Sequence, residues 1–191
     1  MNLKLVTPPA VEPLTLAEVK AHLRVDSADE DSLIDGYLTA AREMCELEAR
    51  RAFVTQTFDL AFDDWPVDGC LPLPRPPLQS VTSITYWTSD NVQLTMPAGD
   101  YLVDTVSEPG MVRMGYNKSW PTSTLRAGPA ITVRFVAGYG LAAAVPQRYK
   151  QAILLLCGHF YENREQVATG VTVVQMPDAV RWLLQMDRGW F

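Results

Sequence analysis

The residue types that most often perform catalysis are few in this chain and poorly spaced for it. Its 191 residues include two histidines and three cysteines. His159 stands two positions after Cys157, and residues two apart lie on different faces of a helix, so the pair does not form a metal site. Cys45 and Cys70 lie far from Cys157 and fit no metal-binding or disulfide framework. We expect the cysteines to be small buried hydrophobes in a reducing compartment.

Longer catalytic motifs are also missing. The sequence has no nucleophile elbow, zinc-protease motif, Walker A loop or dinucleotide-binding glycine motif. Gly138-Tyr139-Gly140 lacks a following lysine to hold phosphate, which favours a hinge or bulge. The acidic residues at 26–31 lack the glycine and the distant glutamate of a calcium loop, and Asp63-Asp64 point to opposite faces of a strand. The sequence therefore predicts no catalytic, metal-binding or cofactor-binding residues, and no enzyme.

Composition sets the broad class. Apolar residues make up 48% of the chain, which is enough for an ordinary packed core. The net charge is −6, whereas free-standing nucleic-acid binders usually present a basic face that neutralises phosphates. No run of about 18 apolar residues is present to span a membrane, and the first residues lack the apolar core of a signal peptide. We expect a protein without membrane contact.

The two ends of the chain have helical patterns. Thr15 and Glu18 have the spacing of a capping box, which predicts a helix that ends near Val25. A short last helix is predicted to begin at Pro177. A second helix follows the acidic residues, and its predicted apolar face consists of Leu33, Ile34, Tyr37, Leu38, Ala41, Met44 and Cys45.

Between these helices the pattern changes to strands and turns. Residues 54–62 alternate in polarity, as a half-buried strand does. The proline-rich stretch 71–77 cannot be a central strand because proline lacks the N–H that a sheet needs, so we expect a sheet edge or polyproline-like backbone. Further strands are predicted at residues 81–87, 101–104, 111–114 and 131–136.

These patterns predict an α+β fold. The strands cluster in the middle of the chain instead of alternating with helices, which argues against an α/β fold. Residues 1–53 and 141–191 are expected to form a helical body, and residues 54–140 to form a β-strand-rich insertion within it.

The most apolar helix is predicted near the end of the chain. Pro146 suits its first position, and Ile153, Leu156, Cys157 and Phe160 then repeat at helical spacing. Two further leucines widen the stripe until apolar side chains surround most of the helix. Such a helix must be covered on several sides, so a neighbouring subunit is a natural candidate for part of the cover.

Five segments, in this order, resemble one known family. They are residues 12–25, Thr55-Gln56-Thr57, residues 73–81, Ala137-Gly138-Tyr139-Gly140 and residues 145–165. Together they resemble the head–tail connector (adaptor) proteins of long-tailed phages and of phage-like gene transfer agents. The resemblance extends over nearly the whole chain.

The resemblance implies a structural role in the neck of a virion or virion-like particle, after synthesis in the bacterial cytoplasm. Such adaptors form a homo-oligomeric ring of about a dozen copies beneath the portal protein. They contact the stopper or tail-terminator protein below, and duplex DNA passes through the bore. The implied ring contacts are Ile153, Leu156, Phe160, Tyr161 and Arg164. Residues 171–191 are implied to face the portal, through Arg181, Trp182, Arg188, Trp190 and Phe191.

Charge and residue type agree with this role. About a dozen subunits of charge −6 give a ring of about −72, which lets DNA slide instead of binding it tightly. Tryptophan and arginine, both present in the tail, are enriched at interface hot spots. A second interpretation is that Trp182 packs in the subunit's own core and that Trp190-Phe191 is a frayed end.

Two other functions remain as alternatives. Trp65, Trp87 and Trp120 in a strand-rich region suggest a carbohydrate-binding or carbohydrate-hydrolysing module, and hydrolysis needs two carboxylates across a cleft. A DNA-binding adaptor acting alone is the third hypothesis, which the acidic net charge disfavours.

Overall fold

The computed structural model describes residues 2–164 and 176–186. They form two compact units, a β unit of residues 2–9 and 55–139 and a helical unit of residues 10–54, 140–164 and 176–186. The helices are α1 (Leu16–Leu23), α2 (Asp31–Ala49), α3 (Gln147–Glu162) and α4 (Asp178–Gln185). The strands are β1 (Asn2–Thr7), β2 (Gln56–Phe62), β3 (Cys70–Leu73), β4 (Leu78–Trp87), β5 (Gln93–Thr95), β6 (Tyr101–Asp104), β7 (Gly110–Met114) and β8 (Ile131–Ala137). The predicted α+β class is confirmed.

Helix α1 begins with the capping box that the sequence predicted. The Thr15 hydroxyl accepts a hydrogen bond from the Glu18 N–H at 3.2 Å, and the Glu18 carboxylate accepts one from the Thr15 N–H at 2.7 Å. Arg24 then adopts a left-handed conformation with φ 58° and ends the helix. Val19 faces inward and is fully buried, so the capped helix is held by packing as well as by its own hydrogen bonds.

Helix α2 is fixed at its C-terminal half by a buried ionic network. The Arg42 guanidinium donates to Glu12 at 2.8 Å and to Glu46 at 2.9 Å. Glu46 also accepts the backbone N–H of Phe53 at 2.7 Å. The two outer partners of this network, Glu12 and Phe53, lie outside the helix. The network therefore connects the chain before α1 and the chain after α2 to one turn of α2. Buried charges need such partners because an unpaired one is costly.

Helix α3 lies in the centre of the helical unit, in contact with α1, α2 and α4. Pro146 is its N-cap residue, one position before the first helical residue at which the sequence analysis placed it. The Tyr149 ring stacks on Phe53 with ring centroids 4.5 Å apart. Ile153, Leu156 and Cys157 are buried in the same core.

The β unit contains a five-stranded antiparallel sheet in the order β1-β2-β8-β4-β5. Alternate residues of the central strands point to one face and are buried, as expected for a half-buried antiparallel sheet. Phe58 and Phe135, which are opposite each other in β2 and β8, stack at 5.6 Å. Leu60, Ile84 and Val133 complete this fully buried layer.

A second, three-stranded sheet has the order β3-β7-β6. Strand β3 contains Pro72 and lies at an edge, as predicted for a proline-bearing strand. Gly110 at the start of β7 lies against Leu78 of β4, and a Cβ on this glycine would approach the Leu78 Cβ to 2.5 Å. Close packing here requires glycine because no side chain fits.

Strand β1 was not predicted. The sequence analysis assigned residues 1–53 to the helical body, but Asn2–Thr7 pairs with β2 at the edge of the five-stranded sheet and belongs to the β unit. Only Leu3 and Leu5 alternate with polar residues before Pro8, which is too short a pattern to indicate a strand. Its partner lies more than fifty residues away, and local patterns do not show such pairings.

Candidate functional site

Helix α4 presents two apolar faces. Pro177 precedes the helix and Asp178 begins it. Val180 and Leu184 are fully buried and face the other helices of the unit, where α4 contacts α2 and α3. A helix of eight residues is marginal by itself in water, so this packing stabilises it.

The second face of α4 lies on the surface. We call Ala179, Trp182, Leu183 and Met186 the outer face of α4. Trp182 is 70% exposed and Met186 is 64% exposed. Asp178, Ala179, Trp182 and Leu183 line a shallow and almost entirely apolar depression. The high exposure of Trp182 excludes the interpretation that it packs in the subunit's own core.

The structure describes two of the five predicted portal-facing residues. Arg181 is half-buried, and its guanidinium lies 3.7 Å from Asp178 one turn earlier. Trp182 lies on the outer face beside it. Arg188, Trp190 and Phe191 lie outside the described residues, as do residues 171–175.

The five predicted ring contacts divide into two groups. Ile153 is 0% exposed and Leu156 is 1% exposed, so both pack inside the helical unit. Phe160 and Tyr161 are half-buried, and Arg164 is exposed. The centre of the predicted apolar stripe is therefore covered by the chain's own helices, whereas Leu154 and Leu155 are half-buried and the C-terminal end of α3 reaches the surface.

Tyr161 and Arg164 already have a partner within the subunit. The Tyr161 hydroxyl donates to one oxygen of Glu30 at 2.5 Å, and Arg164 donates to the other at 2.6 Å. The guanidinium also lies over the Tyr161 ring, 4.8 Å from its centroid. These hydrogen bonds, Tyr161's foremost, lower the pKa of Glu30, while the bond to Glu30 raises the pKa of Tyr161. The cluster connects the end of α3 to the residue that precedes α2.

Helix α2 also has an outer row that the sequence analysis missed. The predicted single apolar face is in fact two faces, because Ile34, Leu38, Ala41 and Cys45 are buried while Leu33 and Met44 are exposed. Leu33 and Met44 align with three other exposed residues, Gly36, Ala40 and Leu47. Adjacent helical residues are about 100° apart, so Leu33 and Ile34 cannot share the centre of one face. The helical spacing of Leu33, Ala40, Met44 and Leu47 was the available signal.

The described residues offer no arrangement typical of catalysis. Within 2–164 and 176–186, no three His, Cys, Asp or Glu side chains are grouped to hold a metal ion. Burial raises the pKa of the Cys45 and Cys157 thiols to about 12, which keeps them protonated and unreactive. His159 contacts Asn163 on its own helix. In the same part of the chain, no helix is long and apolar enough to cross a membrane.

The tryptophans that suggested a sugar site contact other side chains. Trp65 stacks on Trp120 with ring centroids 4.9 Å apart and an interplanar angle of 13°. Tyr86 meets Trp65 edge-on at 5.5 Å, and the Arg126 guanidinium covers Trp87 at 4.6 Å. Each of the three indoles thus has a ring contact within the β unit, which favours a structural role.

A polar depression lies on the open face of the five-stranded sheet. Asp59 of β2 and Arg134 of β8 form a bidentate pair there, with both bonds at 2.8 Å. The pair raises the pKa of Arg134, chiefly through the hydrogen bonds. Ser83, Thr85, Gln93 and Thr132 line the rest. The charges pair with each other, so this surface is a solvated sheet face.

Comparisons with known proteins point to one kind of protein. Residues 13–96 match the family model described as "Phage gp6-like head-tail connector protein". A chain of the virion of a native gene transfer agent (GTA) particle is 26% identical, with a TM-score of 0.78 over 98% of this chain and 95% of that one. None of the curated proteins matches.

Two structures of GTA necks give the same result. A chain in the neck of an empty GTA particle, computed with C6 symmetry, is 27% identical with a TM-score of 0.78. A chain in the neck of a native GTA particle, computed with C12 symmetry, is 26% identical with a TM-score of 0.76. Each likeness covers 98% of this chain and 95% of the other chain.

The fold, the surface helices and these likenesses define a structural protein of the head–tail junction. More particularly, the family model over residues 13–96 and the likeness to the GTA chains support a head–tail connector of the phage and gene-transfer-agent kind. The resemblance stated from the sequence is thereby confirmed.

Proposed function

We propose that the chain forms the connector (adaptor) ring in the neck of a phage or phage-like GTA particle. About twelve copies form a closed ring between the portal and the stopper or tail-terminator protein, and duplex DNA passes through its bore. The observation that supports this most is the likeness of almost the whole chain to a chain from a neck computed with C12 symmetry. In this proposal the helical unit is the adaptor body.

The portal contact is assigned to the outer face of α4 and the residues that follow it. Trp182 offers a large, rigid apolar surface, and Arg181 beside it offers a charged donor for acidic groups. Both residue types are enriched among the few residues that dominate binding energy. Arg188, Trp190 and Phe191 extend the same chemistry along the sequence.

The connector has no catalytic role in this proposal, and it does not hold DNA tightly. A subunit of net charge −6 does not supply the cations that phosphate neutralisation requires. The ring is instead a passage through which DNA slides. Turnover of any substrate that a single polar substitution abolished would contradict the non-catalytic part.

The portal contact is tested with Trp182→Ser and the matched control Tyr116→Ser. Both side chains are highly exposed, at 70% and 91%, but Tyr116 lies in the β unit. Because a hot-spot residue contributes about 2 kcal/mol or more, we expect Trp182→Ser to weaken binding to portal-bearing heads by about 30-fold or more. Tyr116→Ser should bind as the wild type does.

Deleting residues 171–191 would remove α4 and uncover the core that Val180 and Leu184 fill, so such a chain should not stay folded. A truncation that removes only residues 187–191 should stay folded, as judged by circular dichroism, and should attach to the heads less tightly. Undiminished attachment of the truncated chain, or equal weakening by the two single substitutions, would remove the tail from the portal contact.

A further inference from the structure

The outer row of α2, defined as Leu33, Gly36, Ala40, Met44 and Leu47, is an ordered apolar surface. At 1.5 Å per residue it extends about 21 Å along the helix. Leu33 is 38%, Met44 39% and Leu47 66% exposed. Single exposed apolar residues are ordinary, but an uninterrupted row of them is typical of a binding surface.

The row lies on a different side of α2 from the residues that this helix buries in the core of its unit. Helix α2 contacts α1, α3 and α4 through its opposite side, where Ile34, Leu38, Ala41 and Cys45 are buried. Glu43 is exposed at the margin of the row. Helix α2 therefore has two apolar faces, and only one of them packs in the core of the subunit.

Gly36 leaves room for another molecule to approach this row closely. It lies in the interior of α2, where glycine is less favourable than alanine or glutamine because it loses more backbone freedom. No heavy atom lies within 4 Å of the position that a Cβ would occupy, so nothing within the described subunit requires glycine here. Close approach of a second chain is a reason to lack a side chain at this point.

We propose that the outer row of α2 is the lateral contact through which one copy of this chain packs against the next copy in the ring. The inference rests on the proposed connector function. In a closed ring each subunit must present two different surfaces to its two neighbours. The predicted contacts Ile153 and Leu156 are buried and cannot be reached, and the outer face of α4 is assigned to the portal. An apolar seam also suits subunits of charge −6, because it adds no further like charge between acidic neighbours.

The first test compares Leu47→Glu with the matched control Leu141→Glu. Both leucines belong to the helical unit and are exposed, at 66% and 77%, but Leu141 lies outside the row. Both variants should melt at the wild-type temperature. We expect at least tenfold fewer complete rings on portal-bearing heads for Leu47→Glu, counted by electron microscopy, and a normal number for Leu141→Glu. Normal ring formation by Leu47→Glu would overturn the proposal.

Gly36→Gln separates assembly from folding. Glutamine is the better helix former and has open space in the free subunit, so the melting temperature should rise by about 2 °C. The larger side chain should nevertheless reduce ring formation at least tenfold. A merely structural glycine cannot give higher stability together with lost assembly. Full assembly by this variant would count against the lateral contact.

Cross-linking identifies the occupant of the row. A benzophenone attached to Met44→Cys, in a chain that also carries Cys70→Ser, reports what lies against the row in assembled necks. Cys45 and Cys157 are buried with pKa values near 12 and should not take the label. A covalent dimer of this chain supports the proposal, whereas a product with the portal or with the stopper overturns it. If the unlabelled wild type neither forms rings nor binds heads, the proposed function itself fails.

Discussion

The β unit and the helical unit expose apolar side chains in different ways. In the β unit the most exposed of them, Val67, Val106 and Tyr116, lie singly in turns between strands. In the helical unit Leu141 and Val11 also lie singly, but the other exposed apolar residues form rows on α2 and α4, the rows that contain Leu47 and Trp182. Scattered exposure needs no explanation because every protein surface contains apolar atoms. Ordered exposure on a helix that already has a buried face indicates a second partner, so assembly is to be sought in the helical unit.

The cores of the two units do not differ in this way. The five-stranded sheet buries one complete layer around Phe58 and Phe135, and α3 buries Ile153 and Leu156 completely. Each unit therefore has its own closed core, and what distinguishes the helical unit is its surface. Substitutions in the core and on the surface of each unit test this comparison, because they should change the stability of the fold by different amounts.

The largest effect is expected from Leu156→Asp, with Leu47→Asp as its control. Leu156 is 1% exposed, whereas Leu47 is 66% exposed. An unpaired carboxylate in the core costs several kcal/mol, on the order of 4, because it loses its hydration. The control on α2 should stay within about 0.5 kcal/mol of the wild type. Urea denaturation followed by circular dichroism measures both, and equal stabilities would show that the α3 face is not core.

A smaller effect is expected in the β unit from Gly110→Ala. Its Cβ would meet Leu78 at 2.5 Å, so the two strands must move apart. Overpacking of this kind costs about 1–3 kcal/mol. Gly99→Ala is the control, because a Cβ there has no atom within 4 Å. If thermal unfolding showed the same loss of stability for both variants, the close approach of β7 and β4 would be contradicted.

The smallest effect is expected at the cap of α1. Thr15→Ala removes the hydroxyl that accepts the Glu18 N–H, which costs about 1 kcal/mol. Thr122→Ala, in an exposed loop of the β unit, should be neutral. A cap variant as stable as this control at pH 7 would show that α1 does not depend on its capping box.

The same cap has a predictable pH dependence. Hydrogen bonds from the Thr15 N–H and hydroxyl lower the pKa of Glu18 below its ordinary 4.5. A carboxyl with a lowered pKa stabilises the fold fully above its unfolded pKa and loses that contribution as the pH falls through the folded one. The stability difference between wild type and Glu18→Gln should therefore shrink below about pH 4.5. A difference that persisted at pH 3 would contradict this assignment.

Local chemistry explains which elements were predictable. The capping box of Thr15 and Glu18 and the proline of β3 act within a few residues, so the sequence indicated both. Strand β1 depends on a partner more than fifty residues away. The apolar stripe of α3 indicated that this helix is covered on several sides. Periodicity does not tell which elements supply the cover, and in the structure the centre of the stripe packs against the chain's own helices.

The candidate surfaces were predictable only in part. Trp182 was expected at an interface from its residue type; the structure shows that it is exposed, and its role at the portal stays a prediction. The outer row of α2 was missed because Leu33 and Met44 were assigned to the same face as Ile34 and Cys45. Their separation appears only when the buried side of the helix is known.

The most direct test of the connector assignment is a reconstruction of the particle neck by electron cryomicroscopy without imposed symmetry. The account predicts about twelve copies of this chain in one closed ring, with α4 against the portal and the outer row of α2 at each seam between copies. A neck that lacks this chain, or that holds it as isolated copies without mutual contact, would contradict the account.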